Sequence, residues 1–216
     1  MKKSVEISQI RFKYKENPLT IKSSHRNPFL QFNKWMNEAI KNKVFEPTAM
    51  ALATINNKNQ QVSNRIVLLK DVEKNCFIFY TNLNSKKSKE INDNKKVAAV
   101  FWWPQIGKQV RIEGKVSNVS DNAADKYFAT RSRKSQIGSW ASTQSSKLNS
   151  RNTLIEKTKI IENRFANKPV PRPKFWSGFE INPNWIEFWQ GRESRLHDRI
   201  IYKKTGKKWK KFLLNP

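Results

Sequence analysis

IEFWQGRESRLHDR, residues 186–199, joins a strand-like run to a cluster of charged side chains. Its first four residues mix β-branched and aromatic side chains with one carboxylate, as half-buried strands do. If the chain stays extended after Gly191, a period of two places Arg195, His197 and Arg199 on one face. Two guanidiniums and an imidazole suit an anionic, planar, aromatic ligand, because arginine both donates hydrogen bonds to oxyanions and stacks on rings. A solvated strand of alternating charge is the alternative that this spacing leaves open.

The whole chain has 216 residues, which fits one domain with a real core. Cys76 is the only cysteine, so no intrachain disulfide can form, and its apolar run CFIFY predicts a buried thiol in a reducing cytoplasm. The first ten residues lack the apolar segment of a signal peptide, and the apolar run 97–103 is too short to span a bilayer. With two histidines and one cysteine, no spacing suits a metal, and we predict none.

The formal net charge of +26 raises nucleic-acid binding as a rival function, since basic surfaces release counterions from phosphate backbones. The lysines are scattered through every segment and interleaved with asparagine, instead of forming one stripe. We therefore predict no specific nucleic-acid partner and interpret most of the charge as solvated surface.

The pattern of apolar residues favours an antiparallel sheet with flanking helices. Asn27-Pro28 caps a helix whose apolar positions are Phe29, Phe32, Trp35, Met36, Ala39 and Ile40. Strands are predicted over 48–55, 65–69, 76–81, 97–103 and 109–119, with a helical connection over 84–94. Short polar turns between consecutive strands favour an antiparallel barrel over a parallel sheet. No GxGxxG occurs, so side chains and strand ends must hold any nucleotide cofactor.

The later segments complete this mainly β, α+β architecture. SDNAADKYFATR, 120–131, reads as a capped helix, and the following RSRKSQIGSWASTQSS reads as loop-rich and outside the core. Residues 150–166 predict an amphipathic helix, with Leu154, Ile155, Thr158, Ile161 and Phe165 on one side. The C-terminal KKWKKFLLNP predicts a closing strand.

Two polar patches interrupt the barrel pattern. Arg65 and Lys70 bracket an apolar run, and their separation points them to opposite faces of a regular strand, where they could serve two anions. After Thr81, a strand end leads to Lys86 and Lys87 at a helix start, where ammoniums and free N–H groups favour a phosphate. Solvated lysines at strand ends are the alternative for both patches.

Three motifs together resemble the pyridoxamine/pyridoxine 5'-phosphate oxidases, FMN enzymes of vitamin B6 metabolism. They are IEFWQ followed four residues later by RLHDR, the run RIVLLK, and YTN followed by a serine and two basic residues. The likeness spans roughly residues 30–216 and implies an antiparallel split β-barrel that binds FMN. One departure is visible: the family commonly has Arg-Lys where Lys86-Lys87 stands, which removes a bidentate fork.

The resemblance assigns roles to residues of this sequence. Substrate binding is expected of Lys70, Tyr127, Arg131 and Ser135 around the phosphate ester, and of Arg195 and His197, also the catalytic pair, at the pyridine ring. Arg11 and Tyr14, in an N-terminal arm of residues 1–26 that we expect to be mobile, are expected to close over the substrate. FMN ligands are expected at Arg65, Ile66, Leu69, Lys70, Tyr80, Thr81, Lys86, Lys87, Gln109, Gln144, Ser145, Trp189 and Arg199.

The implied activity is oxidation of pyridoxine 5'-phosphate or pyridoxamine 5'-phosphate to pyridoxal 5'-phosphate, with O2 consumed and H2O2 released. The implied organisation is one FMN-binding domain over residues 27–216, acting as a cytoplasmic homodimer with no membrane partner. Two alternatives remain at this point: a split-barrel flavin or haem binder without oxidase activity, and a basic nucleic-acid binder. The substrate-type residues argue against the first of these.

Overall fold

The computed structural model describes residues 7–9, 13–14 and 18–216. Within these ranges the chain forms five α-helices and nine strands. The helices are α1 (Pro28–Lys41), α2 (Lys86–Asp93), α3 (Asp121–Thr130), α4 (Arg133–Ala141) and α5 (Arg151–Arg164). The strands are β1 (Ala49–Ile55), β2 (Val62–Leu68), β3 (Asp71–Glu73), β4 (Cys76–Asn82), β5 (Lys96–Trp103), β6 (Lys108–Asn118), β7 (Trp176–Gln190), β8 (Asp198–Thr205) and β9 (Lys208–Leu213).

The contacts of the chain divide it into two compact units. The first consists of Met1–Pro47, Phe101–Arg111 and Trp185–Pro216, and the second of Thr48–Val100 and Ile112–Asn184. The strands follow the order β2-β1-β5-β6-β7-β4-β3, and β8 pairs with both β7 and β9. The predicted antiparallel architecture is confirmed by the pairings within each unit.

In the second unit, β1 and β2 form the predicted hairpin, with Ala49 opposite Leu68 and Ile55 opposite Val62. The second strand begins three residues before the predicted Arg65, because Val62 to Asn64 still pair with β1. A second hairpin joins β3 to β4, and β4 pairs with the first half of β7. Cys76, at the start of β4, is buried as predicted.

In the first unit, α1 covers an aromatic core. Asn27 caps this helix through its side chain, which accepts a hydrogen bond from the N–H of Phe29, and Pro28 occupies the first turn. Phe32 packs edge-on against Phe101 at 5.1 Å between centroids, and Trp35 packs against Phe188 at 5.1 Å. The predicted helix is thus confirmed, and so is its core face except at Ile40, which is 55% exposed near the end of the helix. The buried face supports the strand that carries the IEFW run.

The expectation of a loop after α3 was wrong. Residues 133–141 form α4, which begins at Ser132, whose hydroxyl accepts a hydrogen bond from the N–H of Ser135. Ile137 lies in a buried cluster with Phe128, Phe165, Val170 and Trp176. Serines and a glycine are weak helix formers, but a serine cap and one buried isoleucine stabilise this short helix.

The amphipathic helix predicted over 150–166 is α5, capped by Ser150. The apolar face of α5 is less buried than predicted, because none of the residues of the helix is fully buried and Ile155 is 44% exposed. Ile161 is the residue of α5 that packs against the buried cluster.

Residues 18–26 lie against the C-terminal strands of their own unit, where Leu19 is buried and donates its N–H to Asp198. The mobility of the arm over residues 1–26 stays a prediction. Among the residues that the structure describes, no helix combines the length and the apolar character needed to cross a bilayer.

Candidate functional site: a basic cavity and an aromatic–histidine cluster

A cavity of about 720 Å³ opens in the second unit. The ends of β2 and β4, the start of α2, the end of α3, and α4 contribute to its wall. Nine residues predicted for the site lie in that wall: Ile66, Lys70, Tyr80, Thr81, Lys87, Tyr127, Arg131, Ser135 and Gln144. These residues come from three stretches of sequence, 66–70, 80–87 and 127–144. The fold has therefore gathered Lys70 and Lys87, one from each predicted polar patch, and the α3–α4 segment around one space.

Lys87 is a buried ammonium in this wall. It stands in the first turn of α2, which starts after Ser85, and it is 7% exposed. Its Nζ lies 2.7 Å from Oγ1 of Thr81, 3.1 Å from Oγ of Ser85 and 3.4 Å from Oε1 of Gln144. Burial, and secondarily the charge of Arg65, lower the pKa of Lys87 to about 8. Among the described residues no carboxylate pairs with it, so a phosphate dianion suits this position.

Arg65 is held outside the cavity wall by a buried network. Its guanidinium donates to the carbonyl oxygen of Leu52 at 3.0 Å and to Oγ1 of Thr54 at 2.5 Å. It also lies 3.3 Å from Oε2 of Glu90, a carboxylate that is 4% exposed. Although burial opposes this, bonds from Thr54 and Ser63 and the charge of Arg65 give Glu90 a lowered pKa. Arg65 is therefore a fixed positive charge near Lys87.

Arg131 ends α3 and forms a second anion-binding point. Its guanidinium donates to Oγ of Ser139 at 2.6 Å and lies over the ring of Trp176 at 4.7 Å. Burial lowers the pKa of Arg131, but a guanidinium remains protonated in proteins. Ser135, from the first turn of α4, is exposed at the same wall. These groups can donate several hydrogen bonds to one oxyanion.

An aromatic stack lines the cavity beside Arg131. The rings of Tyr80 and Tyr127 are parallel at 4.1 Å between centroids, and Trp176 stacks on Tyr80 at 5.4 Å. Burial raises the pKa of both tyrosines, so both phenols stay protonated donors near neutral pH. A stacked wall with phenol donors suits a planar ring that carries a phosphate.

Sequence reasoning missed several residues of the wall. They are Val67, Leu68, Asn82, Ser132, Gly138, Ser139, Ser142 and Trp176. The three serines and Gly138 belong to α4 and its two ends, the segment that was expected to be a loop. Helical spacing from Ser135 to Ser139 and Ser142 was the available signal, since residues four apart share one face.

The charged exit of the opening motif folds differently from the extended strand that we expected. Residues 193–195 form a short 3₁₀ turn, in which Ser194 and Arg195 adopt left-handed backbone angles. The strand resumes only at Asp198. The alternation that would place Arg195, His197 and Arg199 on one face is therefore wrong, because it requires an extended backbone throughout.

Each of the three side chains has its own surroundings. Arg195 is exposed. Arg199 forms an ion pair with Glu187 at 2.8 Å, and Arg111 approaches the same carboxylate at 3.0 Å. His197 packs against Trp189 at 4.5 Å between ring centroids.

His197 has a defined tautomer in this structure. Its Nδ1 lies 3.0 Å from the backbone N–H of Arg192 and accepts a hydrogen bond from it. Burial, then the charge of Arg195, lower the pKa of His197, while Asp198 opposes the shift. A neutral ring that accepts at Nδ1 carries its proton on Nε2, which is then a donor.

Tyr14 joins this cluster. Its ring lies edge-on to Trp189 at 5.6 Å and to His197 at 5.8 Å. It rests against two glycines, since a Cβ built on Gly191 would come within 2.5 Å of the ring and one on Gly107 within 2.8 Å. We call Tyr14, Trp189 and His197, with the two glycines, the Tyr14 cluster; it lies entirely in the first unit.

The other predicted residues are dispersed. Leu69 is buried next to the cavity-lining end of β2, and Lys86 is exposed beside Glu90 at 3.8 Å. Gln109 is half-buried on β6 in the first unit, and Ser145 is an exposed turn residue with a left-handed backbone. Arg11 lies outside the described residues. In the described part of the chain, no group of three or more His, Cys, Asp or Glu side chains is arranged to hold a metal ion.

Comparison with protein families identifies two matching regions. Residues 36–162 match the family model described as pyridoxamine 5'-phosphate oxidase. Residues 176–216 match the model described as the pyridoxine 5'-phosphate oxidase C-terminal dimerisation region.

Individual proteins agree with this result. A pyridoxine/pyridoxamine 5'-phosphate oxidase from Rubrobacter xylanophilus is 43% identical over 98% of this chain and 97% of its own length. The crystal structure of PhzG from Burkholderia lata, in complex with tetrahydrophenazine-1-carboxylic acid, superposes with a TM-score of 0.86 at 27% identity, covering 93% of this chain and 98% of that one. An FMN-binding protein from Nostoc punctiforme, related to pyridoxamine 5'-phosphate oxidase, gives a TM-score of 0.70 at 14% identity over 86% and 97% of the two chains. These likenesses confirm the predicted split-barrel fold.

Proposed function

The chain belongs to the pyridoxamine 5'-phosphate oxidase family, and we propose that it oxidises pyridoxine 5'-phosphate and pyridoxamine 5'-phosphate to pyridoxal 5'-phosphate with FMN as its cofactor. The alcohol and O2 give the aldehyde and H2O2. The amine, O2 and water give the aldehyde, ammonia and H2O2. FMN supplies the two-electron redox chemistry, and the protein supplies binding and orientation.

The cavity in the second unit carries this proposal. Arg131, Ser135 and Lys70 line it together with the phenol of Tyr127. A phosphate ester dianion offers several acceptor sites, and this set meets them with a guanidinium, an ammonium and hydroxyls. Holding the ester at a fixed point orients the rest of the substrate for reaction.

Lys87 is the residue best suited to the phosphate of FMN. Its buried ammonium, with Thr81 and Ser85 beside it, has neutral oxygen partners and no carboxylate counter-charge in the described residues. The side-chain amide of Gln144 also lies beside the Lys87 ammonium. The donor set therefore fits the cofactor, and Arg65 reinforces it as a fixed charge.

His197 and Arg195 are assigned to the pyridine ring of the substrate. The Nε2–H of neutral His197 can donate to the oxygen substituent of that ring, because Nδ1 already accepts from the backbone. Arg195 offers an exposed, permanently charged fork that can stack on the ring or bond its substituents. Both act by holding the ring in its reactive orientation.

The protein acts as a homodimer, in keeping with its C-terminal dimerisation region. We place it in the cytoplasm, because its single cysteine is a reduced, buried side chain with no disulfide to form.

The test is steady-state O2 uptake by the FMN-reconstituted protein, followed together with pyridoxal 5'-phosphate formation. We expect both phosphorylated substrates to be turned over with one H2O2 released for each aldehyde formed. Retention of FMN without turnover would contradict the proposal and favour the flavin binder without oxidase activity. Salt-resistant, sequence-selective RNA binding without turnover would favour the nucleic-acid alternative.

A further inference from the structure

Lys211 on β9 is surrounded by backbone oxygens from residues 21–25. Its Nζ lies 2.8 Å from the carbonyl oxygen of Ile21, 3.0 Å from that of Ser24 and 2.9 Å from the Ser24 hydroxyl. The carbonyl oxygen of His25 is also near, at 3.4 Å. An ammonium has three protons, and these acceptors can use all of them. Such a convergence ties residues 21–25 to the last strand.

Tyr202 strengthens the same tie from the neighbouring strand. It lies opposite Lys211 in the pairing of β8 with β9, and its side chain is fully buried. Its hydroxyl donates to the carbonyl oxygen of His25 at 2.6 Å. Two side chains of one strand pair therefore fix the same short segment.

Asp198 provides a second tie nearer the Tyr14 cluster. Its Oδ2 accepts the backbone N–H of Leu19 at 2.9 Å, and the side chain of Leu19 is buried. Asp198 is also the residue next to His197 in the sequence. Because Tyr14 lies only five positions before Leu19, a fixed Leu19 keeps the Cα of Tyr14 within about 18 Å of its own Cα.

Tyr14 occupies a place shaped for it. Gly107 and Gly191 meet through a 2.8 Å hydrogen bond between their backbones, and neither position leaves room for a Cβ under the ring. On this surface the ring contacts His197 and Trp189. To keep the ring there, the conformational entropy of the chain that follows Tyr14 must be restricted, and the two ties restrict it.

We propose that Lys211 is a positioning residue: by fixing residues 21–25 on β9 it keeps Tyr14 seated on Gly107 and Gly191 beside His197. The role rests on the proposed function, in which His197 holds the substrate ring. If Tyr14 rests on the two glycines in only a small fraction of the molecules, the apparent substrate affinity is reduced in proportion to that fraction. Lys211 therefore acts on substrate binding from a position that touches neither substrate nor cofactor.

The first experiment compares Lys211→Met with Lys210→Met in the FMN-loaded enzyme. Lys210 is exposed on the same strand, so its variant loses the same charge without losing the ties. For Lys211→Met we expect the KM for pyridoxine 5'-phosphate to rise about tenfold, with kcat and FMN affinity within about twofold of the parent. The KM of Lys210→Met should equal that of the parent enzyme, and the KM of Lys211→Arg should be close to it. A KM for Lys211→Met equal to that of Lys210→Met would overturn the proposal.

A double-mutant cycle tests whether Lys211 acts through Tyr14. In a Tyr14→Ala background, Lys211→Met should change KM by less than about twofold, since the ring to be positioned is gone. Gly191→Ala, which displaces the ring, should reproduce the KM of Tyr14→Ala. Additive effects of Lys211→Met and Tyr14→Ala would show that Lys211 acts elsewhere, and would overturn the proposal.

Tryptic cleavage provides a readout that does not need oxidase activity. Lys22 and Arg26 lie inside or next to the tied segment and are native cleavage sites for trypsin. Cleavage there requires local opening, so Lys211→Met should speed it about tenfold relative to Lys210→Met. Equal cleavage rates would reject the tie itself, whereas faster cleavage in a protein without oxidase activity would leave the tie standing and reject only the proposed function.

Discussion

FMN binding should weaken with rising pH because of one lysine. Lys87 is buried against Thr81 and Ser85, and its pKa is lowered to about 8 in the protein without a bound anion. The phosphate dianion binds the ammonium form of Lys87 and so raises the pKa of this lysine. At pH values where Lys87 is neutral in the free protein, Lys87 must therefore take up a proton when FMN binds. The phosphate itself is fully ionised in this range, because its second pKa is about 6.

The size of the effect follows from the titration of Lys87. With a pKa of about 8, roughly nine tenths of Lys87 is charged at about pH 7 and roughly one tenth at about pH 9. The dissociation constant of FMN should therefore rise about tenfold across this range. In Lys87→Arg, whose guanidinium stays charged, the dependence should disappear.

The assay is quenching of flavin fluorescence on titration of the apoprotein at constant ionic strength. Riboflavin, which lacks the phosphate, serves as the matched ligand and should show no such rise. A dissociation constant of FMN that stays constant between about pH 7 and pH 9, or that rises equally in Lys87→Arg, would show that Lys87 does not control the pH dependence.

Three further predictions concern substrate binding and stability. Arg131→Ala should raise the KM for pyridoxine 5'-phosphate about 10- to 100-fold in steady-state assays, because a charged hydrogen bond to the phosphate is lost, while kcat stays within about twofold of the parent. Glu90→Gln should lower the free energy of unfolding in urea by about 1–3 kcal/mol at neutral pH by weakening the hold on Arg65. Because the pKa of Glu90 is lowered in the folded state, this difference should narrow as the pH falls below about 4.5; a constant difference would contradict the role. Ile137→Ala, at 3% exposure, should cost about 2–4 kcal/mol, whereas Ile160→Ala, at 64% exposure, should stay within about 0.5 kcal/mol; equal losses would contradict the packing of α4.

The strands were predictable because their signal is local. Apolar runs such as 48–55 and 97–103 correspond closely to β1 and β5. The polar turn after β1 indicated its antiparallel pairing with β2. The start of β2 was harder to predict from the sequence. This strand begins at Val62, in a polar stretch that becomes a strand because it pairs with β1. Pairing across the hairpin overrides the local pattern there.

The failures occurred where tertiary contacts decide the backbone. Residues 133–141 have the composition of a loop, but Ile137 belongs to the buried cluster that contains Phe128 and Trp176, and its burial stabilises the helix. Arg195 has a left-handed backbone that no alternation of charges could reveal. For the same reason the wall residues from α4 were missed, while Lys87 and Arg131 were found through motifs that carry their chemistry.

The central claim is that this chain oxidises a phosphorylated B6 substrate with FMN. Anaerobic mixing of the FMN-loaded protein with pyridoxine 5'-phosphate, followed by visible absorption in a stopped-flow instrument, tests it most directly. We predict loss of the flavin absorption in a single turnover, its return when O2 is admitted, and no loss with an equal concentration of pyridoxine. Flavin absorption that persists with pyridoxine 5'-phosphate, or that pyridoxine removes at the same rate, would contradict the claim.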